Sequence, residues 1–542
     1  MANNMKINAT FASNDSNGRA SESFTLKSLS NSSLIRWETS EDVVFELRSD
    51  SDKEFRKTIK NNDITTFIER DDLYIANPIA STTQTDGFTI TAIACLTCVE
   101  FNNAAKAIRE INPDAFLNSV SSKKRVEESK KPHAQGSNLY IDKNGKRHFI
   151  VSYDAREDGK GGYLVIFSEP TCDKKWPKIM TVECEEDSYN HPGSFQIVGD
   201  FLFLPVEEYR NSESGREDGA EIHVYDLSPL ADGGSPEKIA WCTVGKDKTK
   251  HRAGALGATD EWIAINDQEI LYLYTYKISD NENGEGFRLN MEYVDSFEIE
   301  KTQGIGLIKQ LHVGDLPNTR HEVLYLLGLV TTSKNEDRIY YYKILITTDT
   351  EDDRMTLPKV EVDEGTYIHV CTEPGNGEYG KDPIHLKYGG GVYLSDNDTI
   401  TCLGTGREIR TDMKFNFNIF SNVDRVELDC ALENIEDEEP RASQNFSILN
   451  FTHKYCRFHV YNEDGKEVTP KLNIRRDISG NKDYGICEVA YAAMPIINND
   501  DSKKSLDKTP LYLAYDKNSI GSSEDKGFLR VVIEGVTKDG KK

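Results

Sequence analysis

The chain has 542 residues, enough for two to four domains, with a formal net charge of −26 and only 10 cysteines. That charge argues against nucleic-acid partners and anionic membrane surfaces, because both need a cationic footprint. No apolar run approaches the ~20 residues of a membrane span, and residues 1–8 lack the apolar core of a secretory signal. The default expectation is therefore a cytoplasmic protein without membrane insertion, with signal-independent export as the alternative.

Up to about residue 101 the chain alternates polar and apolar residues through 6–11, 23–26, 33–37, 43–48 and 67–76, which predicts a small β-sandwich-like domain over 1–101. Cys95-Leu96-Thr97-Cys98 is the single C-x-x-C of the sequence. With no second pair and no neighbouring histidines it lacks the four donors of a structural zinc site. Residues 87–94 before it read as a buried strand, so core cysteines are expected. Residues 102–111 then read as a helix, with Asn102 or Asn103 as its cap and Pro113 as its stop. The polar, lysine-rich stretch 119–131 reads as a linker, giving a helix-and-linker unit over 102–132.

From residue 133 onward five segments open alike. His133-Ala134-Gln135-Gly136, His191-Pro192-Gly193, His251-Arg252-Ala253-Gly254, Gln303-Gly304 and His385-Leu386-Lys387-Tyr388-Gly389 each set a ring or amide before a glycine and a β-prone run. Successive starts are 58, 60, 52 and 82 residues apart, about one four-stranded sheet per step. After the second start 194–199, 201–207, 221–227 and 238–244 read as four strands. After the third, 255–259, 262–265, 270–277 and 287–299 do the same. This periodicity predicts an all-β fold with a β-propeller over 133–425, of five blades with six as the alternative. The long fourth step leaves 360–362 and 366–371 either as strands of a sixth, degenerate blade or as parts of a loop. The last blade, 391–394, 399–404 and 413–420, lacks a fourth strand. That strand must come from before residue 133 or after 420, because an open ring would leave unpaired edges.

Five acidic residues among 433–440 mark a boundary. Beyond it 446–451, 455–461, 471–475, 486–492, 511–514 and 528–533 predict a second β-rich, sandwich-like domain over 426–542.

The region from His191 to about Ser395 resembles bacterial β-propeller proteins of unassigned function. The resemblance rests on His191-Pro192-Gly193, on 197–207 (IVGDFLFLPVE), on Val224-Tyr225-Asp226-Leu227-Ser228, on Ala253-Gly254-Ala255 and on Tyr388-Gly389-Gly390-Gly391-Val392-Tyr393. It implies the fold and assigns no catalytic residue.

On this reading His133, His191, His251, Gln303 and His385 would meet near one axis as a ligand-binding channel entrance. Imidazoles converging on an axis are able to hold a divalent metal, so His191, His251 and His385 are the candidate ligands of that alternative. Against it, one start offers Gln303 and the histidines precede glycine by different distances. The sequence holds no G-x-S-x-G elbow, no H-E-x-x-H and no phosphate-binding P-loop. Tyr340-Tyr341-Tyr342, Tyr272, Tyr274 and Tyr276 would stack on sugars if exposed, although strand alternation sends most of them into cores. The expectation is a non-enzymatic binding or scaffolding protein for a protein or glycan partner, without metal or other cofactor. The alternative is a propeller hydrolase or metal-dependent oxygenase.

Overall fold

The computed structural model describes residues from Asn4 onward except 10–17, 27–33, 41, 69, 81–87, 114–115, 122–133, 154–161, 169–177, 185–188, 209–218, 247–248, 251, 282–285, 312–318, 334–335, 350–357, 371–384, 387, 396–397, 406–413 and 423–424; beyond Asn422 it describes the backbone of strands only. The described chain is nearly all β, with antiparallel sheets throughout. Among the described residues no helix is long and apolar enough to cross a membrane.

Near the N-terminus two sheets enclose one core. Asn4–Ala9, Phe88–Ala94, Leu34–Thr39 and Ile64–Thr66 form one, and Arg56–Ile59, Val43–Ser49 and Leu73–Ala80 the other. Val43–Ser49 and Phe88–Ala94 alternate between buried and half-buried positions, as strands covered on one face do. Their inward residues, with Trp37 and Leu73, make the core.

Among the described residues before Arg425, five larger sheets follow in chain order, with a two-stranded antiparallel pair, Gly245–Lys246 and Thr249–Lys250, between the second and third. The first holds Ala134–Ile141, Arg147–Tyr153, Tyr163–Ser168 and Lys178–Thr181. The second pairs both Tyr189–Pro192 and Gln196–Val198 with Phe201–Glu208, then adds Ala220–Asp226 and Glu237–Thr243. The third is Ala255–Ala258, Trp262–Asp267, Ile270–Asp280 and Phe287–Glu298. The fourth is Gly304–Gln310, Thr319–Thr331, Asp337–Asp349 and Lys359–Val362. Thr366–Val370 pairs with the same Asp337–Asp349 strand, so both segments from the long fourth step are outer strands of this sheet.

The fifth sheet is Gly391–Ser395, Thr399–Thr405 and Lys414–Ser421, completed by Phe116–Ser121 from the N-terminal side. The completing strand thus comes from before residue 133, one of the two sources the sequence allowed. It runs into the stretch read as linker, so 119–121 belong to a strand instead.

The first strand of each sheet lies against the first strand of the next, and the fifth returns to the first. Five apolar cores fill the gaps between consecutive sheets, including the one between fifth and first, where Leu403 meets Phe149, Val151 and Phe167. Strands between two cores are covered on both faces. All seven residues of Ala220–Asp226 are buried: Ala220, Ile222 and Val224 face the third sheet, and Tyr225 faces the first. The helix Ala104–Arg109 wedges Ala104, Ala107 and Ile108 into the core between the fourth and fifth sheets, capped by Asn103, whose Oδ1 accepts from Lys106 N at 2.9 Å. Between Arg425 and Val536, nine described strands hydrogen-bond into one antiparallel sheet.

Candidate functional site

Where the five first strands converge, the backbone comes very close. A Cβ at Gly193 would collide with the backbone of Gly254, and one at Gly391 with the carbonyl of Ser137. Side-by-side strands without a shared ladder leave backbone groups to be satisfied by side chains. Ser137 Oγ donates to Gly389 O at 2.6 Å, and Ser194 Oγ to Gly390 O at 2.8 Å. Asn138 Nδ2 reaches Val392 O at 3.0 Å. Gln196 donates to Leu307 O at 2.9 Å while its oxygen accepts from Ala258 N and Leu307 N. All four side chains are buried. Polar atoms at the convergence are therefore engaged in joining strands.

The sequence-predicted site residues fall in several environments. His133 and His251 lie outside the described residues. His191 is half-buried on Tyr189–Pro192, opposite Glu207 in register. Gln303 is exposed, and its N–H donates to Leu329 O at 3.1 Å. His385 is buried, with Nδ1 2.8 Å from Asp337 Oδ2 on the fourth sheet. Asp337 Oδ1 also accepts from Leu386 N at 3.0 Å and from Thr331 Oγ1 at 2.6 Å. Glu207 does related work two junctions earlier, accepting from Ala253 N at 3.0 Å and Arg252 Nη2 at 2.9 Å. A buried carboxylate from the preceding sheet thus anchors the start of the third sheet and of the fifth.

The opposite end of the sheets, at the turns between first and second strands, is covered by the N-terminal segment. Asp200 N bonds Cys95 O, and the Arg36 guanidinium pairs with Asp200 and with Asp226, the latter at 3.2 Å. Tyr140 OH from the first sheet donates to Asp200 at 2.9 Å. Asp260 accepts from Cys98 Sγ and from Lys309 Nζ, and Asp398 receives the Asn102 and Asn103 N–H groups at 2.8 and 3.0 Å. Glu100–Phe101 adds in parallel to the first strand of the fourth sheet. Cys95 and Cys98 are both free, and burial pushes their thiols well above the ordinary range, so they sit as inert packing groups.

Three buried histidines are each paired with a carboxylate. Besides His385, His148 places Nε2 2.9 Å from Asp142 and Nδ1 2.7 Å from Ser168 Oγ. Serine, histidine and aspartate are the parts of a hydrolytic triad. Here the ring is fully buried and Asp142 Oδ1 is engaged by the amides of Asn144 and Lys146, so the trio pins a hairpin. His223 places Nε2 2.7 Å from Glu221 Oε2 and Nδ1 3.2 Å from Tyr225 OH. Cys184 joins this pair: donor atoms of Cys184, Glu221 and His223 all lie within 4.8 Å of one another, a set able to hold a metal ion. Sequence reading missed it. Glu221 and His223 share a strand face by their i, i+2 spacing, but Cys184 reaches them from the first sheet.

On the outer strands of the fourth sheet, Tyr340 and Tyr342 are buried while Tyr367 is 42% exposed. Arg338 lies 4.5 Å from the Tyr367 ring, and His369 packs against it edge-on at 5.0 Å. Tyr274 and Tyr276 are buried and Tyr272 half-buried.

No known protein family matches the sequence, and no curated protein does. Among solved structures, the chain has matches to a protein of unknown function from Dyadobacter fermentans DSM 18053 (10% identity, TM-score 0.23, 56% of this chain and 98% of that one) and to the core factor of S. cerevisiae (8% identity, TM-score 0.18, 78% and 61%).

Proposed function

We propose that the five cyclically packed sheets are blades of a five-bladed β-propeller, flanked by N- and C-terminal β-sandwich-like regions, in a protein similar to the bacterial propellers of unassigned function. The domain division follows from this: 1–101, a connecting unit over 102–132 that also supplies the Phe116–Ser121 strand, the ring over 133–425, and 426–542. The chain acts as a non-enzymatic binding or scaffolding protein for a protein or glycan partner.

One observation carries this reading. The axial polar side chains are committed to strand-to-strand hydrogen bonds, and one end of the ring is occupied by the N-terminal segment. A partner is left the opposite end, where Gln303 is exposed, and the rim, where Tyr367 with Arg338 offers an aromatic surface suited to a sugar ring. The runner-up, a propeller hydrolase or metal-dependent oxygenase using His191, His251 and His385, would have to work through His385 Nε2, because Nδ1 is held by Asp337.

The test uses the full chain. A photo-cross-linking residue at Gln303 should yield discrete adducts in the native cell extract, whereas one at Thr97, half-buried in the N-terminal segment that covers the other end, should not. Affinity electrophoresis against soluble polysaccharides checks the glycan arm, with Tyr367→Ala abolishing any retardation. Turnover of a hydrolase or oxygenase substrate that disappears in His385→Ala would overturn the reading.

A further inference from the structure

We infer that Cys184, Glu221 and His223 form a zinc site that ties the first sheet to the second, a property independent of the partner-binding reading. Glu221 and His223 are 1% and 0% exposed and project from the same face of Ala220–Asp226. Cys184 follows the outermost strand of the first sheet, Lys178–Thr181, and is half-buried. The three residues thus offer sulfur, nitrogen and oxygen from two sheets to one point.

The imidazole geometry points the same way. His223 Nδ1 lies 3.2 Å from Tyr225 OH and Nε2 lies 2.7 Å from Glu221 Oε2; in the tautomer that carries its proton on Nδ1, Tyr225 OH accepts and the Nε2 lone pair faces the carboxylate. In that tautomer the lone pair and the carboxylate need a proton or a metal ion between them. A proton would satisfy the pair alone. A metal ion also accounts for the thiol placed within reach of both. A ring nitrogen held by an outer hydrogen bond is how metal-binding histidines are fixed in the correct tautomer.

The donor set selects the ion. Thiolate disfavours calcium and magnesium, which take oxygen ligands, and suits zinc, which accepts sulfur, nitrogen and oxygen tetrahedrally. Thiolate and carboxylate carry two negative charges, so Zn2+ leaves the buried site neutral, the condition under which burial costs least. Tetrahedral zinc keeps its donors roughly 3.3–3.7 Å apart. The ion therefore enters by widening the Glu221–His223 contact and drawing in the Cys184 sulfur, with water in the fourth position on the half-buried side. The thiol proton and the proton shared by Glu221 and His223 pass to bulk water.

The experiment loads the full chain with Zn2+, removes excess by gel filtration and measures the metal content. Near one equivalent should remain. Co2+ in place of zinc should give a thiolate-to-cobalt charge-transfer band, which surface histidines and carboxylates do not produce. Cys184→Ser should abolish the band and weaken zinc binding at least about 100-fold, while Cys98→Ser, at the covered end, keeps both. Tyr225→Phe, which removes only the positioning hydroxyl, should weaken binding by about 10–100-fold and keep the band. Folding of every variant is checked by circular dichroism and elution volume, and the half-buried, conservative Cys184→Ser keeps the test decisive if changes at His223 unfold the chain. Substoichiometric zinc on the folded wild type, or an unchanged cobalt band in Cys184→Ser, would overturn the proposal.

Discussion

Asp337 Oδ2 lies 2.8 Å from His385 Nδ1, so the last of the five repeated starts is bound to the sheet before it. The same carboxylate accepts from the Leu386 amide and the Thr331 hydroxyl, making it the shared acceptor for three donors. Asp337→Ala should strand all three and lower stability by about 3 kcal/mol, whereas His385→Ala removes a single donor and should cost about 1–2 kcal/mol. Urea denaturation of both variants gives the comparison. A larger loss in His385→Ala would mean that the histidine has work beyond this contact.

Close approach of the first strands makes glycines unequal. A Cβ at Gly193 would meet the Gly254 backbone, which no rotamer change relieves, whereas one at Gly254 finds only Glu207 Oε1 at 3.6 Å and Asn266 O at 3.8 Å. Gly193→Ala should therefore cost about 1–3 kcal/mol, and Gly254→Ala should stay within about 0.5 kcal/mol of wild type. Thermal unfolding reads the difference, and equal shifts would contradict the packing of second against third sheet.

Lys309 gathers Asp260, Glu261 and Glu100 at the covered end, at 3.0, 3.4 and 3.4 Å. Burial works against its charge, but Asp260, Cys98 and Glu261 outweigh burial and hold the ammonium above the ordinary lysine range. Its folded value is raised, so its contribution is full below the unfolded value near 10.5 and is lost as pH rises beyond it toward the folded one. Lys309→Met should cost about 2–3 kcal/mol at neutral pH, by leaving partly buried carboxylates without their cation. The stability gap to wild type should hold up to about pH 10 and narrow above it. A gap that is flat through pH 11 would contradict this assignment.

The strand pattern was legible because each sheet repeats the same local problem. Alternating apolar runs and a glycine at the crowded first strand reappear at every step, and 255–259, 262–265, 270–277 and 287–299 fall on the third sheet's strands. Need for a completing strand was legible too, but its address was not: Phe116–Ser121 pairs with a segment about 300 residues away, and nothing local records that distance. The helix was readable through Asn103, a side-chain cap three residues from its donor, but it runs only over Ala104–Arg109, shorter than the 102–111 expected. Side-chain direction was the unreadable part. His385 is steered by an aspartate 48 residues upstream, and the Cys184, Glu221 and His223 donors meet only because two sheets stack. Asp200, Asp260 and Asp398 sit in turns between first and second strands, and it is the N-terminal segment that makes them anchors.

The central claim is a ring of sheets completed by a strand from the N-terminal side, and amide hydrogen exchange tests it most directly. In the wild type, the Lys414–Ser421 amides that bond Phe116–Ser121 should be protected. Asn118→Pro, which breaks the partner strand opposite Phe417, should remove protection from Lys414–Ser421 first and leave the second and third sheets slow to exchange. Protection of Lys414–Ser421 that is unchanged in Asn118→Pro, with the chain still folded, would contradict the account.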